Sequence, residues 1–157
     1  IEKIAQQGDP KKIPMPKILS DKSRLEFSYS GLKTHLLYLV EKETPLTDEK
    51  KADICAAFQD AAFEQVIRKL KLAYNRYQGN VNSILIAGGV SANQRFRSLL
   101  KSSFTTVPLL FPDLAYCSDN AAMIAAYGSY LYEAFPDYYQ QLPKDWEAYS
   151  RYDVHKR

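Results

Sequence analysis

The chain has 157 residues, a formal net charge of +3 at pH 7 and only two cysteines. This length suits one domain, and the mild positive charge, without an arginine-rich block, allows contact with nucleic acid but does not argue for it. Cys55 and Cys117 lie in unrelated contexts without a CxxC motif, which favours free thiols in a reducing compartment. No apolar run approaches membrane-spanning length and no signal peptide is visible, so we expect no membrane partner and a cytoplasmic location.

The residue pattern in the first half of the chain predicts mainly helices. Period-3.6 apolar spacing indicates helices, and one stretch alternates apolar and polar residues as a strand does. The predicted elements are the helical segment Ile1–Gln7, the strand Leu25–Tyr29, a helix Leu32–Glu43 and a long helix Asp48–Tyr77 with Thr47 as its cap. The long helix is expected to bury one stripe against the sheet, made of Ile54, Phe58, Ala62, Val66 and Leu70.

A short apolar run, Ile84–Ala87, predicts a short strand and is followed at once by Gly88 and Gly89. A helix is predicted from Ala92 to Ser103, with Ser91 as cap and Gln94 three residues on, as in a capping box. A glycine turn lets the backbone approach a ligand, and the free N–H groups at the start of a helix favour an anion. Taken alone the signal is weak, because two glycines after a strand are often only a tight turn.

A second unit of the same kind follows. Leu109–Phe111 predicts a short strand, and Cys117–Asn120 leads into a helix that is expected to run to Ala134. Since the ends of neighbouring parallel strands meet at one edge of a sheet, we expect Asn93 and Asp119 to face one cleft. We assign 1–135 to one lobe and 136–157 to a polar, aromatic tail.

The candidate site residues have ordinary alternatives. Asp119, just before a helix, is by position alone more typical of an N-cap than of a metal or phosphate ligand. Asn93 occupies the first turn of its predicted helix, where a polar surface residue is common. Cys117 near Asp119 suggests a nucleophile, but no histidine is close in sequence, so a structural thiol is favoured.

Four blocks, in the right order over most of the chain, resemble the catalytic subunit of the tRNA adenosine threonylcarbamoyltransferases, TsaD. They resemble only the C-terminal half of a family member. The blocks are Ile1–Ala5 with Gly8–Pro10, Phe27–Thr34, Ala87–Asn93 and Cys117–Ala125.

The resemblance implies an α/β fold, the C-terminal lobe of an actin-like or sugar-kinase-like ATPase, rich in helix with a small mixed sheet. It implies that Asn93, Gly88, Gly89 and Glu2 contact threonylcarbamoyl-adenylate or ATP, with Glu2 at the ribose hydroxyls. It also implies that Asp119 is a ligand of one divalent metal ion, iron or zinc in preference to magnesium. The other ligands implied are a His-x-x-x-His pair that this chain does not contain.

The implied activity is transfer of a threonylcarbamoyl group to the tRNA adenosine adjacent to the anticodon, within a complex of partner subunits. Without the histidine pair we expect the isolated chain to be inactive. One alternative is a non-catalytic relative that serves as a dimerisation or scaffold subunit of the same complex, although such relatives usually lose polar residues like Asn93 and Asp119. Another is a small-molecule kinase of the same fold superfamily.

Overall fold

The structure is a computed structural model that describes residues 1–19, 21 and 24–137. The helices and strands of that part are α1 (Glu2–Ala5), α2 (Ser30–Glu43), α3 (Asp48–Tyr77), β1 (Ile84–Leu85), α4 (Gln94–Ser103), β2 (Leu109–Leu110) and α5 (Ala121–Ala134). The chain divides into two compact units, Ile1–Ser118 and a second that begins at Asp119. Residues 138–157 of the predicted tail lie outside the described residues.

The sheet is a parallel pair. Ile84 lies opposite Leu109 and Leu85 opposite Leu110, and Ile86 donates its N–H to the carbonyl of Leu110 at 2.9 Å. Both short strands predicted in the second half of the chain are therefore confirmed, and the architecture is of the α/β type. The predicted sheet was mixed, whereas the two strands found in the described chain are parallel.

The strand predicted at Leu25–Tyr29 is wrong, because this segment has no strand partner. Side chains of α3 bind the backbone here instead: within the segment, Ser28 donates its N–H to Gln65 Oε1 at 2.9 Å. Just before the segment, Lys69 Nζ donates to the carbonyl of Arg24 at 2.6 Å. Alternating apolar and polar residues predict a segment with two unlike faces, but they do not specify what binds its backbone. Polar side chains of a helix can form hydrogen bonds with the backbone N–H and C=O groups in place of a neighbouring strand.

Helix α3 has the predicted bounds, and its cap is confirmed because Thr47 Oγ1 accepts the Lys50 N–H at 3.2 Å. It packs against α1, α2 and α4. Its Phe63 ring lies 4.8 Å from that of Phe96 on α4, centroid to centroid. This contact is part of the main core cluster, which consists of Phe63, Ile67, Phe96, Leu100, Phe104 and Val107.

The single buried stripe predicted for α3 is only partly right. Val66 and Leu70 are partly buried against the main cluster, but Ile54 belongs to a second cluster with Ile13 and Ala57. Phe58 is half-buried rather than enclosed. Because α3 contacts neighbours on several sides, its buried positions do not follow one stripe.

The chain after α1 is fixed to α3 at Gly8 and Asp53. A Cβ on Gly8 would lie 2.1 Å from the carbonyl oxygen of Ala52, so only glycine allows this approach. One residue on, Asp9 donates its N–H to Asp53 Oδ1 at 2.7 Å. Lys12 Nζ lies 3.2 Å from Asp53 Oδ2. The hydrogen bond from the Asp9 N–H and, to a smaller extent, the interaction with Lys12 hold the pKa of the Asp53 carboxyl below its usual value.

We expect Phe63→Ala to lower the free energy of unfolding by about 3–5 kcal/mol, the cost of deleting a buried phenyl ring. Phe58→Ala should cost clearly less, because that ring is half-buried. Urea unfolding followed by circular dichroism measures both. Equal losses for the two variants would contradict this assignment of the core.

We expect Asp53→Asn to lower the melting temperature at pH 7 and to have less effect in acid. A carboxyl whose pKa is depressed on folding contributes stability above its unfolded pKa of about 3.9, and this contribution disappears as the pH falls through the folded pKa. The difference between wild type and variant should therefore shrink below about pH 4.

Melts at pH 7 and pH 3 measure this difference. Asp48→Asn is the control, because the Asp48 side chain is 99% exposed beside Lys51 and an exposed ion pair contributes little. A melting-temperature difference for Asp53→Asn that is the same at both pH values would refute the role of its charge.

Candidate nucleotide site

The turn after β1 has an exposed backbone with free donors. Gly88 has φ +88°, a conformation that side chains disfavour, and its carbonyl accepts the Ser91 N–H at 2.9 Å. Within the described residues the N–H groups of Gly88, Gly89 and Val90 donate no hydrogen bond. A Cβ built on either glycine would meet nothing within 4 Å. The turn therefore presents backbone donors to open space.

The cap of α4 is Asn93 and not Ser91. Asn93 Oδ1 accepts the N–H of Phe96 at 3.0 Å, whereas the predicted capping box of Ser91 and Gln94 does not form. Ser91 lies within a 3₁₀ turn, Gly89–Ala92, and is 1% exposed. That extra turn moves the start of the helix two residues along the chain.

The Glu2 carboxylate also lies at the start of α4. Glu2 Oε1 accepts the N–H of Gln94 at 3.1 Å, across 92 positions of sequence. A carboxylate is favourable there because the N-terminal end of a helix carries partial positive charge. Glu2 and Asn93 thus occupy two of the N–H groups that we expected to be free for an anion. The free donors lie in the turn before the helix.

A cavity of about 310 Å³ brings three of the four predicted nucleotide-contacting residues together: Glu2, Gly89 and Asn93. Gly88, the fourth, is the next residue in the chain to Gly89. The other lining residues are mostly apolar and are Ile1, Phe58, Gln59, Ala62, Phe63, Val90 and Ala92. An apolar cavity with a few fixed polar groups is typical of a small-molecule site.

Gln59 is the site residue that sequence reasoning missed. Its Oε1 accepts a hydrogen bond from Asn93 Nδ2 at 3.0 Å, and the residue is 8% exposed. One position on, Asp60 binds Arg95 through both carboxylate oxygens, at 2.9 and 2.6 Å. A glutamine inside an amphipathic helix carries no local signal of function, so only the packing of α3 on α4 identifies it.

Arg97 connects the two segments that follow β1 and β2. Its Nε donates to the carbonyl of Ser91 at 2.5 Å, and its Nη2 donates to the carbonyl of Pro112 at 2.9 Å. The same nitrogen lies 3.4 Å from Cys117 Sγ, and the guanidinium covers the Phe111 ring at 4.8 Å. The turn after β1 and the loop after β2 therefore share one cation. Cys117 is a buried free thiol in this contact.

Asp119 is not the cap of α5. Asn120 Oδ1 accepts the N–H of Met123 at 3.1 Å and caps the helix, so the simplest alternative role for Asp119 is wrong. Asp119 belongs to the second compact unit and Asn93 to the first, and their meeting in one cleft stays a prediction.

The described residues do not by themselves provide a metal site, because no group of three or more His, Cys, Asp or Glu side chains among them is placed to bind one. Asp119 supplies a single carboxylate. Of the helices in the described ranges, none combines the length and apolar character that crossing a membrane requires.

The family model described as tRNA N6-adenosine threonylcarbamoyltransferase, TsaD, matches residues 1–126. This is well over half of the 157 residues. The chain belongs to the TsaD family. The resemblance inferred from the four sequence blocks is thereby confirmed.

Several curated proteins named tRNA N6-adenosine threonylcarbamoyltransferase are similar to the chain. The protein of Symbiobacterium thermophilum is 38% identical over 137 residues, which cover 85% of this chain and 39% of the relative. That of Moorella thermoacetica is 40% identical over 140 residues, 86% of this chain and 40% of the relative. That of Francisella philomiragia is 42% identical over 126 residues, 79% and 37% respectively. The chain thus spans about two-fifths of the length of these relatives.

We expect Arg97→Met to expose Cys117 to a maleimide reagent. The guanidinium holds the loop after β2 by the Pro112 carbonyl and covers the thiol, and methionine retains the bulk without the hydrogen bonds. The labelling rate is followed by mass spectrometry in a Cys55→Ser background. Arg95→Met is the control, because Arg95 pairs with Asp60 instead. Equal labelling rates in the two variants would disprove the role given to Arg97.

Proposed function

We propose that this chain forms the nucleotide-binding part of an enzyme that transfers a threonylcarbamoyl group from threonylcarbamoyl-adenylate to tRNA. The acceptor is the adenosine adjacent to the anticodon. The proposal is supported by family membership and by one observation above all: Glu2, Gly89 and Asn93, separated by up to 91 positions in the numbering, line the same cavity.

Each part of this cavity matches a part of an adenylate. The apolar side chains of Ile1, Phe58 and Val90 suit the flat base, since such sites are lined mainly by apolar groups. The second oxygen of Glu2 suits ribose hydroxyls, because an ionised carboxylate only accepts hydrogen bonds. The free N–H groups of the turn at Gly88 and Gly89 suit phosphate oxygens.

Asp119 is proposed as one ligand of a divalent metal, iron or zinc in preference to magnesium. The support is its place in the family motif and the finding that Asn120 rather than Asp119 caps α5. A single carboxylate does not form a metal site, so the remaining ligands must come from outside the described residues. We expect the isolated chain to be inactive in transfer for the same reason.

The test uses a chimera in which this chain replaces the matching segment of the Moorella thermoacetica relative. Asp119→Ser should abolish modification of tRNA and lower the metal content, because serine does not replace a carboxylate ligand. Its melting temperature should change little, because Asp119 makes no cap hydrogen bond.

Asn120→Ala is the matched control for that experiment. It removes the α5 cap, which costs about 1 kcal/mol of stability, but it leaves the Asp119 carboxylate in place. We expect this variant to keep its metal and most of its activity. Full activity and metal content in Asp119→Ser would remove Asp119 from the proposed site.

A further inference from the structure

A chain of three hydrogen-bonding groups runs from α4 to α3 through the cavity wall. The backbone N–H of Phe96 donates to Asn93 Oδ1 at 3.0 Å. Asn93 Nδ2 in turn donates to Gln59 Oε1 at 3.0 Å. Because a backbone N–H is always a donor, it fixes the orientation of the Asn93 amide. That amide then fixes the orientation of Gln59.

This order leaves donors available to a ligand. Each amide oxygen already accepts one hydrogen bond within the chain, while Asn93 Nδ2 retains a second hydrogen and Gln59 Nε2 carries two. Gln59 is 8% exposed, and its Nε2 has no hydrogen-bond partner within the described residues. This nitrogen is not fully enclosed, whereas Gln65 Nε2 is fully enclosed and has no partner.

Gln59 is therefore a nearly buried side chain whose unpaired amide nitrogen retains some accessible surface. It lines the 310 Å³ cavity beside Glu2 and Asn93. It also lines a neighbouring cavity of about 290 Å³ with Glu2 and Gln94. A donor kept unpaired in a largely buried position is costly unless a ligand acceptor or water binds it.

We propose that Gln59 is a ligand-binding residue of this site, whose Nε2 donates a hydrogen bond to an acceptor atom of the bound adenylate. Its Oε1 meanwhile orients the Asn93 amide, so that the second hydrogen of Asn93 Nδ2 is available to the same ligand. The inference rests on the proposed function, because it takes the ligand to be an adenylate. It implies that the part of the cavity beside Gln59 and Asn93 favours ligand groups that accept hydrogen bonds.

The test measures binding of AMP to the same chimera by calorimetry. Gln59→Glu keeps an acceptor for Asn93 Nδ2 but removes the Nε2 donors, and Gln59→Met removes both at similar length. We expect both variants to bind AMP about tenfold or more weakly, as the loss of hydrogen bonds to a charged ligand implies. Their far-ultraviolet circular dichroism should match that of the wild type.

Gln65→Glu is the matched control, because Gln65 lies on the same helix and is 2% exposed, but it binds the Ser28 backbone away from this cavity. We expect its affinity for AMP to stay within about twofold of wild type, a change smaller than one hydrogen bond is worth. If Gln59→Glu does not fold, Gln59→Met decides, because methionine adapts to irregular apolar surroundings.

The outcomes separate the two proposals. Wild-type affinity in Gln59→Met, or an equal loss in Gln65→Glu, would overturn the role of Gln59 and leave the adenylate site standing. A wild-type chimera that does not bind AMP would overturn the proposed nucleotide site, and the role of Gln59 with it.

Discussion

The packing of α3 on α4 is the constraint on which the first compact unit depends. Phe63 and Phe96 meet in the main core cluster, and this contact sets the distance and rotation between the two helices. A helix of 30 residues is about 45 Å long, so α3 is long enough to contact α1, α2 and α4 at different points along its length. Once the apolar contact is made, the polar side chains of α3 have fixed neighbours.

Those polar neighbours follow the order of residues along α3. Asp53 holds the chain after α1, Gln59 holds Asn93 and Gln65 holds the backbone at Ser28. Each is a nearly buried polar group whose acceptor oxygen is used within the chain, as burial requires. The amide nitrogens of Gln59 and Gln65 both lack a partner among the described residues, but only that of Gln65 is fully enclosed.

The start of α4 shows how one set of residues serves both stability and a binding site. Asn93 and Glu2 each accept an N–H of the first turn, so they stabilise the helix while lining the cavity. The cap therefore does not argue against a ligand at Asn93, because its Nδ2 keeps a second donor. Because these two side chains occupy N–H groups of the first turn, the backbone N–H groups that remain free for a ligand are those of the exposed glycine turn. Arg97 then ties this turn to the loop that precedes Asp119.

The sequence by itself determined the helices, the two short strands and the family. Periodicity and end signals depend on residues close together in the chain, which is why α3 was predicted with its bounds and its Thr47 cap. The motif at Ala87–Asn93 was likewise recognisable, because its residues lie within a few positions of one another. Local signals also misled, since a capping box at Ser91 and alternation at Leu25–Tyr29 are valid patterns that the fold does not use.

Only the tertiary structure decided which groups meet. Gln59 and Asn93 are 34 positions apart, and Glu2 and Gln94 are 92 positions apart. No spacing rule connects such residues, because their proximity follows from how α1 and α4 pack on α3. The same reason explains the error at Phe58: a helix with neighbours on several sides buries residues according to those neighbours, which its own periodicity does not specify.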